Sequence, residues 1–478
     1  MSAGSPARRG FFVNVGSLVF ARGFLALSQV LVLPILARML SVEDFALMAL
    51  AMTVVIFTSV LSDAGLGRSL IRAPGYDQVE WSSVFWLLVG VGALLAAGVL
   101  AIAPLWAWYF AEPSLTAILS ALAMVPFCQA ISASHNAEIE RREQYTALAR
   151  LQIVAASSGL VAAVLLALAG AGVWALVVQQ VLIAAFRLMG VIRLSRFRPD
   201  RVFDRQKIGG HLRFARDAVT TSLISVAQAQ AAPLLIAKLL GQGPLGIFAM
   251  SQRFTRLPQF GLAGPMSAVV FVRMSKAQDD PARLTRIYLA STRLLASALL
   301  PPLTMIAVSG QAVFTVLLSE KWAGIAPVFA LSIPGLVLEA VAITCLACLF
   351  RAVGRTDLQV RLITEGAVLR VVLVLGAALI SLEAVAFSMT LWALAYVPRG
   401  WAHARGIVPL DWGDCLRAIA PAALVSAAGA LAHLLLCRAL APGNEWEIVM
   451  AIGLMCLAFG ALALADLGRI KAATAEFR

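Results

Sequence analysis

Charge is scarce in this 478-residue sequence: aspartate, glutamate, lysine and arginine make up 13% of it, against 61% hydrophobic residues. A water-soluble globule of this length needs more polar cover than that. The shortage falls mainly on the acids, 25 against 38 lysines and arginines, so the net charge is +13. Aromatic residues are few, at 8%, and strict apolar–polar alternation is missing, which excludes an outer-membrane barrel. The six cysteines do not form a framework: Cys128, Cys345, Cys348, Cys437 and Cys456 lie in apolar runs and Cys415 opens another. Cys345-x-x-Cys348 has no second pair and no histidine nearby. The four histidines, His135, His211, His403 and His433, are scattered, so no metal site is expected. A cleaved signal peptide is not expected either, because the run after Arg8 and Arg9 contains Arg22 and Pro34, continues to Leu40 and lacks a small-residue cleavage site.

What the sequence has in abundance is apolar runs long enough for a membrane, about 20 residues each. They predict an all-α polytopic membrane protein of about 14 helices, at 11–37, 43–62, 82–110, 115–135, 145–168, 172–194, 212–238, 244–271, 284–308, 327–350, 358–381, 384–404, 415–437 and 447–466. Loop charge supports the count. With the N-terminus inside, 28 lysines and arginines fall in or beside cytoplasmic segments, densest from Arg193 to Arg216, and only Arg38, Lys238, Lys321 and Arg438 fall outside. That asymmetry is the positive-inside rule, and it predicts a bacterial inner-membrane protein with both termini cytoplasmic. In this setting the excess of basic residues reports topology and contact with anionic lipid, not nucleic acid.

The chain also repeats. Residues 36–49, LARMLSVEDFALMA, align with 236–249, IAKLLGQGPLGIFA, and each copy lies between the first two helices of a six-helix set. The repeat predicts pseudo-symmetric lobes at 1–205 (with the basic linker) and 206–405, and an additional helix pair at 406–478. An even helix number gives both lobes the same orientation.

The stretches LPILARMLSVEDFALMAL (33–50), SDAGLGRSLIR (62–72), AGAGVWALVVQQ (169–180), LLSEKWAGIAPVFAL (317–331) and FRAVGRTDLQVRL (350–362) stand in an order that resembles Wzx-type polysaccharide and oligosaccharide flippases. These belong to the multidrug, oligosaccharidyl-lipid and polysaccharide exporter superfamily. The resemblance covers roughly residues 10–410. It implies two six-helix lobes in a V, alternating access, and an undecaprenyl-diphosphate-linked oligosaccharide as cargo for surface polysaccharide synthesis, with a polymerase and chain-length proteins as partners. Two positions depart from the pattern: Ala232 stands where such proteins often carry Asp, and Ile247-Phe248 replaces an aromatic pair. The coupling ion, H⁺ or Na⁺, stays open, and no cofactor is implied.

Charges inside apolar spans are the candidate site. A buried Arg in a membrane helix costs about 2.5–3.5 kcal/mol on insertion scales, so it normally faces a bundle interior or wet cavity. Arg22 and Gln29 share a face of the first helix; Arg253 and Arg256, flanked by Gln252 and Gln259, lie in the eighth; Ser225 and Gln228 belong to a polar stripe on the seventh. The resemblance places the first and eighth helices beside a central cavity, where guanidinium groups suit a diphosphate. Arg293, Arg370 and Glu339 form a second rank, for which snorkelling or an Arg370–Glu339 pair is the plainer reading. The run Glu138, Glu140, Arg141, Arg142, Glu143 reads as a solvated helix end.

No catalytic residue emerges. A multidrug exporter of organic cations calls for embedded carboxylates, and the N-terminal half offers only Asp63, at a helix end. A membrane polysaccharide polymerase calls for a large charged outside loop, whereas the longest, 309–326, has only Glu320 and Lys321.

Overall fold

The computed structural model describes residues 23–24, 28, 31–63, 65–72, 75–258 and 262–475; the side chains of 213–214, 216–218, 221, 256–258, 356 and 465–475 lie outside that description. The described residues are helical, with no strand among them. Ten of their helices are long and apolar enough to cross a membrane by length and composition. Helices also stand where the eighth, eleventh and twelfth spans are expected, while most of the first span, 11–37, falls outside the described residues. The chain divides into two compact units, one ending at Lys238 and one beginning at Leu239.

The N-terminal unit comprises α1 (Val42–Asp63), α2 (Leu66–Arg72), α3 (Gln78–Phe110), α4 (Ser114–Leu122), α5 (Met124–Arg141), α6 (Tyr145–Leu168), α7 (Trp174–Leu194) and α8 (Gly209–Leu239). The sequence motifs have local physical reasons. In LSVED, Ser41 N–H donates to Asp44 Oδ2 at 2.9 Å and Asp44 N–H to Ser41 Oγ at 3.0 Å, a reciprocal cap that starts α1. In SDAGLGR, Gly65 takes φ +73° and breaks the span between α1 and α2. Asp63 Oδ1 then accepts from Gly67 N–H at 3.1 Å. Gly67 itself lies so close to α5 that a Cβ there would sit 3.3 Å from the Ala133 carbonyl oxygen.

The basic linker is an ordered strap. Phe197 is buried against Trp81, Phe85 and His135, and Ile208 joins the same core cluster. Its backbone is tied down by α3 and α5: Asp200 N–H donates to Ser82 Oγ (3.0 Å), Asp204 N–H to Ser83 Oγ (2.8 Å) and Arg196 N–H to Glu138 Oε2 (3.2 Å). Lys207 pairs with Asp77, the N-cap of α3, and that bond holds the Asp77 carboxyl below its usual range. His211 bridges Ser69 Oγ and Glu80 Oε1, both at 2.7 Å. Arg193, Arg196, Arg198, Arg201, Arg205 and Lys207 stay exposed around this anchor. The expected solvated run at 138–143 is therefore corrected: Glu138 is buried and ion-paired to Arg142 at 2.8 Å, because the strap covers that helix end.

The C-terminal unit comprises α9 (Gln242–Pro258), α10 (Gly264–Lys276), α11 (Pro281–Val308), α12 (Gly310–Leu318), α13 (Ile325–Leu338), α14 (Thr344–Ala352), α15 (Thr356–Ala378), α16 (Leu382–Ala404), α17 (Trp412–Leu440) and α18 (Asn444–Ala475). Helix α11 is its centre, packing against α13 and against the terminal pair α17 and α18. Tyr288 on α11 is fully buried and accepts from Trp401 Nε1–H at 2.7 Å. Helices α13 and α16 cross at Gly335 without room for a side chain. Glu339 then opens a π-helical turn, Glu339–Ile343, between α13 and α14, a distortion that commonly marks sites of movement.

Candidate functional site

The N-terminal unit holds a cavity of about 330 Å³ built from α1, α2, α5 and α7. Helix α5 contributes a stripe at helical spacing, Gln129, Ser132, Asn136 and Glu140. Helix α7 adds Gln180 and, two turns on, Arg187; α1 ends in Ser59, Ser62 and Asp63; α2 adds Arg68. Ser62 Oγ donates to Ser59 O at 2.9 Å and lies 3.4 Å from Gln129 Oε1, so part of the polar wall is already satisfied. Arg68 and Arg187 are exposed, while Asp63 and Glu140 are half-buried. Glu140 feels the charges of Asp63, Arg68 and Arg187. None of these four groups forms an ion pair with another within 4 Å among the described residues. Two guanidinium groups on one cavity wall can take a phosphate or sugar-acid oxygen by charge-assisted hydrogen bonds. The two carboxylates can take a proton or small cation, or balance the arginines when no anion is present.

Arg187 was not among the residues expected at the site, and Glu140 was expected in solvent. Both had a signal: the α5 stripe interrupts an apolar run at steps of three and four residues, and Gln180 and Arg187 are seven apart.

Of the residues expected at the site, Arg22, Gln29 and Gln259 lie outside the described residues. Ser225 and Gln228 are on α8, exposed and half-buried, in the N-terminal unit; nearby Gln230 is buried and accepts from Thr53 Oγ1 at 3.3 Å. Arg253 is exposed on α9, and Arg256 is on the same helix with its side chain outside the description. Gln252 is half-buried, its Nε2 3.7 Å from Met389 Sδ and its Oε1 3.4 Å from Thr255 Oγ1. Arg370 does not pair with Glu339; its guanidinium stacks 5.0 Å from the Trp392 ring, a cation–π contact. Glu365 pairs with Arg361 and Arg399, both at 2.9 Å. Arg293 is half-buried on α11.

The fold matches two membrane proteins of known structure. A lipid II flippase MurJ in its inward closed conformation superposes with a TM-score of 0.77 at 12% identity, over 96% of this chain and 100% of that one. An inward-facing multidrug-resistance transporter of the multidrug and toxin extrusion family gives 0.64 at 16% identity, over 81% and 94%. Within that fold class the chain belongs to the polysaccharide biosynthesis protein family, whose sequence profile matches residues 35–327. Its relatives include the succinoglycan biosynthesis transport protein ExoT of Rhizobium meliloti (strain 1021), 28% identical over 66% of this chain and 64% of ExoT. The lipopolysaccharide biosynthesis protein WzxC of Escherichia coli (strain K12) is 23% identical over 67% and 63%, and the teichuronic acid biosynthesis protein TuaB of Bacillus subtilis (strain 168) 22% over 69% and 68%. The match therefore spans less than two thirds of the length of ExoT and of WzxC.

Proposed function

We propose that this protein translocates an undecaprenyl-diphosphate-linked oligosaccharide from the cytoplasmic to the outer leaflet of the bacterial inner membrane, by alternating access, for surface polysaccharide synthesis. The observation that carries the reading is the pair Arg68 and Arg187 lining one cavity of the N-terminal unit. A diphosphate offers several charged oxygen acceptors to the planar, multi-donor fork of Arg. The relatives' names support transport in polysaccharide biosynthesis, and the likeness in fold to a lipid II flippase supports a lipid-attached cargo. A cavity of about 330 Å³ suits a phosphate or a single sugar ring, so the cargo would enter it by its head, with Arg253 and Arg256 addressing the same anion elsewhere on its route. Polymerase and chain-length proteins would take the product; no catalysis on the cargo is assigned.

Asp63 and Glu140 favour a second role for the same cavity, binding a coupling H⁺ or Na⁺. Binding of that ion would free Arg68 and Arg187 for the cargo, and its release would let them return to the carboxylates. The test is the series Arg187→Lys, Arg187→Ala and Arg187→Glu, scored for membrane abundance and surface polymer. A charge-assisted hydrogen bond is worth about 1.5–3 kcal/mol, so the Ala variant should export about 10- to 150-fold more slowly, the Lys variant partially, and the Glu variant not at all, each at normal abundance. Normal export by a normally abundant Arg187→Glu protein refutes the role. Export that merely tracks lowered abundance in all three assigns Arg187 to folding.

A further inference from the structure

The terminal helix pair carries a polar cluster that transport leaves unused. His433 and Cys437 stand four residues apart on α17, one above the other on one face. Leu434, Leu435 and Leu436 between them are exposed, while His433 is fully buried. Helix α17 ends at Ala441, whose left-handed backbone donates to Cys437 O at 2.9 Å. Pro442 and Gly443 complete the turn, and Glu447 N–H bonds back to Gly443 O at 3.0 Å. This short connection sets Glu447 opposite Cys437. The His433 Nε2 atom lies 3.5 Å from Cys437 Sγ and 3.5 Å from Glu447 Oε1, and the three ligand atoms lie within 4.8 Å of one another. Among the described residues His433 Nδ1 has no hydrogen-bond partner, while Nε2 faces Cys437 and Glu447.

These separations can be set against metal geometry. Tetrahedral zinc with Zn–N near 2.0–2.1 Å, Zn–S near 2.3 Å and Zn–O near 2.0–2.2 Å has N···S and N···O edges of about 3.6 and 3.4 Å. Both histidine-centred distances already match, and the Cys437–Glu447 edge lies within 4.8 Å, a span that rotation of the glutamate side chain can adjust. The nitrogen, sulfur and oxygen set selects a borderline-soft dication over calcium or magnesium, which take oxygen. We propose that His433, Cys437 and Glu447 bind one transition-metal dication of the zinc class, with the fourth position left to water. Binding displaces the thiol proton of Cys437 to solvent and ties α17 to α18 across their turn.

The test uses the full-length protein purified in detergent, stripped with a chelator, loaded with zinc and dialysed. Wild type should retain about one zinc per chain, Cys437→Ser and Glu447→Gln none, and the double variant Cys345→Ser/Cys348→Ser the full amount. With cobalt in place of zinc, wild type and the double variant should show a thiolate-to-cobalt charge-transfer band that Cys437→Ser lacks. Monodisperse elution of each variant confirms folding; if Cys437→Ser fails it, His433→Gln serves in its place. Wild type that retains no more zinc than the substituted proteins, or a cobalt band that survives loss of Cys437, overturns the site.

Discussion

Replacing Gly335 with Ala tests the packing on which the C-terminal unit depends. A Cβ at this position would stand 2.7 Å from Met389 O, 2.8 Å from Thr390 Cα and 2.9 Å from Met389 C. All three are backbone atoms of α16, so no side chain can rotate away and the two helices must part. Overpacking of this kind costs about 1–3 kcal/mol. Parting also strains the Thr390 hydroxyl, which donates to Leu331 O at 2.6 Å and accepts from Gly335 N–H at 3.1 Å; that adds about 1 kcal/mol. Against these stands the better helix propensity of Ala, about 1 kcal/mol. The net is a destabilisation of about 2 kcal/mol, or up to about 30-fold faster unfolding if it is felt fully in that rate. Gly376, on α15 with nothing within 4 Å of a Cβ, is the control, and Gly376→Ala should be neutral or slightly stabilising. The assay is the half-life of monodisperse full-length protein in one detergent at one raised temperature. A Gly335→Ala protein that lasts as long as Gly376→Ala refutes the close crossing of α13 and α16.

Two further expectations concern the strap and the topology. Asp77→Asn should raise hydrogen exchange across 196–208, after correction for intrinsic rates. In wild type that protection should stay level from pH 5 to 9, near the ordinary pKa values of about 3.9 for Asp and 10.4 for Lys at either side. The sign follows from the bond: Asp77 is held low, so its contribution is lost only as pH falls through that lowered value, and Lys207 is held high, so its contribution is lost only as pH rises through the raised one. Exchange that climbs steeply within this window contradicts the pair. In a cysteine-free chain, Ala169→Cys should react with an impermeant maleimide in spheroplasts and Gln206→Cys should not; labelling of Gln206→Cys from outside reverses the orientation.

Helix content and most span positions were legible because a bilayer demands long apolar runs, and the five ordered stretches pointed to the right family. The motifs were legible as signatures before their causes were: Ser41 and Asp44 close a cap, and Gly67 lets α2 approach α5. Arg187 escaped notice because it lies between an apolar run and the basic flank beginning at Arg193, and looks like part of that flank. Glu140 was misread because composition around 138–143 is that of a wet helix end; only the strap's packing and the α5 stripe turn it inward. Among the described residues Arg370 is neither lone nor ion-paired, since its partner is the face of Trp392, which charge counting does not register. The proposed metal site, not expected from the sequence, needed the turn at Ala441: the His433–Cys437 spacing was visible, but Glu447 joins it only through the fold.

The central claim is tested most directly by flipping itself. The protein is reconstituted into liposomes with a labelled polyprenyl-diphosphate-linked oligosaccharide in one leaflet, and the label reaching the other leaflet is scored with an impermeant sugar-modifying reagent. The account predicts equilibration between leaflets in vesicles holding wild-type protein, and retention in protein-free vesicles and in those holding Arg187→Glu. Wild-type vesicles that retain the lipid as protein-free vesicles do would contradict it.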